Sequence, residues 1–105
     1  LKINTNIIIN DFYNANLESM ISGISQLKYM NIKKGKTIIV LGDMLELGER
    51  SKRNHEKLGQ YINKLDFIDL VCGYGELIEG TLDIINNSKI RKKYSRNVIG
   101  VRYDR

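Results

Sequence analysis

At 105 residues the chain can bury one substantial core but is too short for two domains. Its 42% hydrophobic and 28% charged residues are the proportions of a globular protein, and no apolar run approaches the roughly 18 residues a membrane span needs. The formal charge of +5 is concentrated at the end, where residues 89–105 carry seven Lys or Arg against Asp104 and leave the rest close to neutral.

In chain order, Lys2-Ile3-Asn4-Thr5-Asn6 breaks any signal-peptide pattern. Ile7-Ile8-Ile9 is a continuous β-branched run, as expected of a parallel strand buried on both faces. It runs into Asn10-Asp11-Phe12-Tyr13-Asn14-Ala15-Asn16, an unusually polar strand-to-helix junction. Such a junction lies at the carboxyl edge of an α/β sheet, where ligands bind. A turn with a helix cap would explain the Asp and one Asn, but not Tyr13 between them. Leu17, Met20, Ile21, Ile24 and Leu27 then recur at helical spacing, with Asn16 placed to cap the first turn. Lys33-Lys34-Gly35 reads as the end of that helix.

Thr37-Ile38-Ile39-Val40-Leu41 is a second buried strand. It opens into Gly42-Asp43-Met44-Leu45-Glu46-Leu47-Gly48, a loop on the same edge as the first junction. Asp43 and Glu46 could accept from an amine or hydroxyl there or contact a cation, or the loop could be no more than packing. Ser51 is the expected cap of a second helix whose inward face is His55, Leu58, Ile62 and Leu65. Gly59 in mid-helix costs up to about 1 kcal/mol relative to Ala, which a close approach by another element would explain. His55 has no partner histidines and no second cysteine for a metal site, so a packed, hydrogen-bonded side chain is the ordinary expectation.

Asp69-Leu70-Val71-Cys72-Gly73 predicts a third strand, which buries the chain's one cysteine as an unreactive thiol. The next helix would put Leu77, Ile78, Leu82 and Ile85 on one face and end near Asn86-Asn87. Arg91-Lys92-Lys93 reads as a solvated loop, with a nucleic-acid patch as the weaker alternative. Val98-Ile99-Gly100-Val101 is the expected fourth strand. This alternation predicts a single α/β domain over residues 1–105, a Rossmann-like, doubly wound, mostly parallel sheet with helices on both faces. Leu1 in place of Met, and the stop just after the last strand, read as cuts through a longer polypeptide, truncated at the C-terminus.

Two phosphate-binding motifs fail on spacing. Gly35-Lys36-Thr37 lacks the earlier glycine, since Met30 stands there, and it opens a strand where a phosphate loop must open a helix. Gly73-Tyr74-Gly75 lacks the third glycine of a dinucleotide fingerprint, since Ile78 stands there.

Asp11-Phe12-Tyr13-Asn14-Ala15-Asn16 with Ser19-Met20, followed by Leu41-Gly42-Asp43-Met44-Leu45-Glu46-Leu47-Gly48 with His55 and Gly59, resembles the C-terminal domain of Mur ligases. The resemblance covers about residues 5–75 and is greatest to the branch that adds D-alanyl-D-alanine to UDP-MurNAc-tripeptide. It implies one part of a three-domain, ATP-dependent amide ligase of peptidoglycan synthesis that works through an acyl phosphate. ATP and Mg would be held mainly by the central domain, and the sugar nucleotide by the N-terminal one. The resemblance assigns Asp11 to the ATP ribose, and Tyr13, Asn14 and Asn16 to the phosphate side of the cleft. It places Asp43, Glu46 and His55 toward the incoming dipeptide, with His55 supporting the loop. It assigns no catalytic residue and no metal ligand to this chain, so the domain alone should be silent.

The sequence departs from the family's pattern at Leu17, where Pro is usual, at Phe12, where Ser or Thr is common, and at Asn10, where a second Asp is common. The expected partners are UDP-MurNAc-tripeptide, D-alanyl-D-alanine and the other two domains, with no membrane and no nucleic acid, in the cytoplasm. Another Mur or folyl-polyglutamate type ligase, or a standalone nucleotide- or nucleic-acid-binding module, are the alternatives.

Overall fold

A computed structural model describes the backbone of residues 5–10 and, with side chains, residues 16–29, 36–44 and 48–95. Four strands, β1 (Thr5–Asn10), β2 (Lys36–Leu41), β3 (Leu70–Tyr74) and β4 (Arg91–Ser95), form one sheet in the order β1-β2-β3-β4. Every pairing is parallel. Three helices alternate with them: α1 (Leu17–Leu27), α2 (Ser51–Asn63), entered through a 3-10 turn at Gly48–Arg50, and α3 (Glu79–Ile84).

The strand order explains the layering. Right-handed crossovers between strands that are neighbours both in sequence and in space put all the connecting helices on one face. Met20 and Ile24 of α1, Leu58 and Ile62 of α2, and Leu82 of α3 share one core with Ile39, Leu41 and Val71 of the sheet. Complete burial of a side chain such as Leu58 or Ile62 contributes roughly 1.5–3 kcal/mol. The opposite face carries the alternate residues Ile38, Val40, Leu70, Cys72 and Tyr74. The α/β, parallel, Rossmann-like expectation therefore holds, while the described helices occupy one of the two faces.

Several boundaries differ from expectation. Helix α1 ends at Leu27 with Lys28 as its C-cap, not at Lys33-Lys34-Gly35, which lie outside the described residues. No side chain caps α2. Arg50 occupies the cap position, and Ser51 is already helical. Leu77 precedes α3 and is 42% exposed, whereas Ile78, Leu82 and Ile85 are buried as expected.

The largest correction concerns Arg91-Lys92-Lys93. It is strand β4, at the end of the sheet, while the expected strand at 98–101 lies outside the described residues. An edge strand tolerates lysines that a central strand cannot. Lys92 lays its stem over the helix layer and donates from Nζ to the Leu82 and Ile85 carbonyls at 3.0 and 2.7 Å. Both carbonyls lie at the end of α3, where the Leu82 oxygen also accepts the Ile85 N–H, so the cation acts as a C-terminal cap. Tyr94, two residues on, packs against the same core.

Gly59 is explained by α3. A Cβ there would collide with the Thr81 carbonyl oxygen and stand 2.8 Å from Ile84 Cβ. The contact is reinforced by Thr81 Oγ1, which donates to the His55 carbonyl at 2.6 Å.

Candidate functional site at the carboxyl edge of the sheet

Parallel pairing brings the carboxyl ends of the strands to one edge. Asn10 is in register with Leu41, and Leu41 with Gly73. The segments that follow β1, β2 and β3 therefore leave the sheet side by side, the arrangement that forms a ligand crevice in α/β folds.

Of the four residues assigned to the nucleotide side, Asn16 is described and Asp11, Tyr13 and Asn14 lie outside the described residues. Asn16 sits in an extended conformation at the start of α1, and its Oδ1 accepts the Ser19 N–H at 2.8 Å. The capping half of its expected role is thus observed. Its side chain is exposed at this edge.

Asp43 has a role that the sequence did not suggest. Its Oδ1 accepts the Leu77 and Ile78 N–H groups at 3.0 and 2.7 Å, and its Oδ2 accepts the Glu76 N–H at 3.0 Å. These amides belong to the turn between β3 and α3, so the end of β2 is bonded directly to its neighbour's loop. In a dinucleotide-binding fold, the pyrophosphate occupies such a strand-to-helix turn. Here the chain's own carboxylate occupies it, a physical reason beyond the missing glycine why Gly73-Tyr74-Gly75 is no such site.

The approach needs glycine at two points. Gly75 has φ +110°, and a Cβ there would run into the Asp43 carboxylate. At Gly42, a Cβ would stand 2.6 Å from Cζ of Tyr74.

His55 is 1% exposed and engaged on both ring nitrogens. Nε2 accepts the Met44 N–H at 3.0 Å and therefore carries no proton. Nδ1, 2.7 Å from the Ser51 carbonyl oxygen, then bears the hydrogen and donates it. The imidazole pins Met44, itself fully buried, and through it the loop after β2. Glu46 lies outside the described residues. Between the first turn of α2 and the α3 entry runs an open groove of about 420 Å³, lined by Gly48, Ser51, Lys52, His55, Leu77 and Gly80. Leu77, expected in the core, is instead an apolar wall of that groove.

Elsewhere the chemistry is quiet. Burial pushes the Cys72 thiol above its ordinary value, partly offset by the nearby Lys93 ammonium. Among the described residues no group of three His, Cys, Asp or Glu could hold a metal. None of their helices is long and apolar enough to cross a membrane.

Residues 2–99 match the family model described as Mur ligase, glutamate ligase domain. The chain belongs to this Mur ligase family. Among curated relatives it is similar to the UDP-N-acetylmuramoyl-tripeptide--D-alanyl-D-alanine ligases of three bacteria. That of Haemophilus influenzae is 44% identical over 69 residues, covering 66% of this chain and 14% of the relative. That of Buchnera aphidicola (subsp. Acyrthosiphon pisum) is 39% identical over 98 residues, covering 88% and 21%. That of Rickettsia prowazekii is 38% identical over 102 residues, covering 93% and 21%. The chain thus spans about a fifth or less of the length of these Mur ligase relatives. No solved structure matches it.

The sequence reading put the loop after β2 at this edge but missed its bond to the turn after β3. The available signal was the pair Gly42-Asp43 and Gly73-Tyr74-Gly75, two glycine-bearing strand ends that topology makes neighbours. An Asp in one can cap the helix entry of the other.

Proposed function

We propose that this chain is the C-terminal domain of an ATP-dependent amide ligase that joins D-alanyl-D-alanine to UDP-MurNAc-tripeptide in peptidoglycan synthesis. The observation that carries the reading is the shared name of relatives whose similarity extends over as much as 93% of the chain. The crevice geometry supports it, because three strand ends converge where a partner domain could close over them.

In this reading the tripeptide's terminal carboxylate oxygen attacks the γ-phosphorus of ATP and ADP leaves. The dipeptide amine then attacks the acyl carbon, inorganic phosphate leaves, and the nitrogen gives up a proton. Magnesium, held by the central domain, would neutralise charge on the transferring phosphoryl group. This domain supplies closure. Closing it over the nucleotide excludes water from the acyl phosphate and completes the acceptor site. Asp11, Tyr13, Asn14 and Asn16 face the nucleotide, and the loop holding Asp43 and Glu46, backed by His55, faces the dipeptide.

A nucleic-acid module is disfavoured by β4, where the central cation of the Arg-Lys-Lys run is spent on capping α3. Full-length protein offered ATP, UDP-MurNAc-tripeptide and one acceptor at a time tests the proposal. ADP release should depend on D-alanyl-D-alanine. Release driven by glutamate, with the dipeptide inert, would move the chain to another ligase of the same fold.

A further inference from the structure

We propose that His55 and Asp43 are positioning residues, two ends of one hydrogen-bonded clamp that holds the acceptor side of the crevice as a unit. The inference rests on the ligase reading above and goes beyond it, because it takes both side chains out of direct substrate contact. His55 is anchored in α2 by donating to the Ser51 carbonyl, and it accepts the Met44 N–H. The next residue back, Asp43, accepts three consecutive backbone N–H groups of the β3–α3 turn. A continuous path therefore runs from α2 through Met44 and Asp43 to residues 76–78.

Two facts argue that the path positions and does not bind. His55 is 1% exposed and has both nitrogens engaged, so neither nitrogen is free to bind a ligand even though the ring borders the groove. Both Asp43 oxygens are engaged by backbone donors of the β3–α3 turn, so the carboxylate is already committed to the fold. What the clamp presents is backbone and groove: Ser51 and Lys52 on one wall, Leu77 and Gly80 on the other. A path of this kind gives a loop-borne site the rigidity that a reacting amine requires, since misplacement by about 1 Å can cost a hundredfold in rate.

Tests use the full-length enzyme with Asp43→Asn, His55→Gln and the double variant. Asparagine keeps one acceptor oxygen for three donors, and glutamine cannot present an acceptor and a donor with imidazole's geometry. Each single variant should raise KM for D-alanyl-D-alanine about tenfold, the equivalent of one charge-assisted hydrogen bond. KM for ATP should stay within about twofold. The double variant should be little worse than either single one, because residues in one network are not additive.

Hydrogen exchange gives a readout independent of turnover. Asp43→Asn should speed exchange at Met44, and His55→Gln should speed it at residues 76–78, each across the clamp. Exchange confined to the mutated end, or a lower melting temperature with an unchanged acceptor KM, would overturn the clamp. Loss of kcat in Asp43→Asn alone, with normal exchange, would overturn it in favour of direct contact. Wild-type enzyme indifferent to the dipeptide would sink the ligase reading but leave the exchange result to decide the clamp.

Discussion

Three residues show how far a side chain's role can be read before its neighbours are known. Gly59 was legible as a close approach, because helix interiors disfavour glycine and something must compensate. The identity of the approaching atoms was not legible, since Thr81 and Ile84 are over twenty residues away in sequence. Gly59→Ala should therefore destabilise the domain by about 1–3 kcal/mol through overpacking, despite alanine's better helix propensity. A urea midpoint that rises would show that α3 can move aside. Asp43 was legible only as an acidic residue at the right edge. Its three bonds depend on strand order, which no local pattern encodes. His55 was correctly expected to be packed and hydrogen-bonded, and the structure adds which nitrogen carries the hydrogen.

Among the elements, those with strong periodicity were legible and the polar edge strand was not. Helices α1 and α2 and the apolar strands β2 and β3 form where the sequence puts their apolar patterns, because each presents a one-sided or continuous apolar pattern to a core. Helix α1 nonetheless ends at Leu27, short of the expected Lys33-Lys34-Gly35. Strand β4 has no such pattern. Its residues alternate between the core face, Lys92 and Tyr94, and the other face, Arg91 and Lys93, so its charge concealed it. Lys92 also ties β4 to α3, and that link makes a prediction. Lys92→Met keeps the stem but removes the ammonium from the Leu82 and Ile85 carbonyls, and should cost about 1 kcal/mol. For a domain of this size that is roughly 4–8 °C in melting temperature. An unchanged melting temperature would mean that water replaces the ammonium without loss.

At the scale of the whole molecule, the parallel α/β class and the shared edge of the candidate loops followed from the alternation of strands and helices. Placement of the described helices on one face follows from the sequential strand order, which alternation alone does not specify. The same order makes the crevice. It sets the ends of β1, β2 and β3 side by side and lets Asp43 reach the next loop. In the proposed ligase this edge completes a site whose phosphates and metal lie on another domain, so residues 1–105 alone should release no ADP from ATP.

The central claim is tested most directly by the mass of the nucleotide-sugar product formed by full-length protein from ATP, UDP-MurNAc-tripeptide and D-alanyl-D-alanine. The account predicts a product heavier by one D-alanyl-D-alanine residue, formed in step with ADP and phosphate. A sugar nucleotide of unchanged mass, or one extended by glutamate when both acceptors are present, would contradict it.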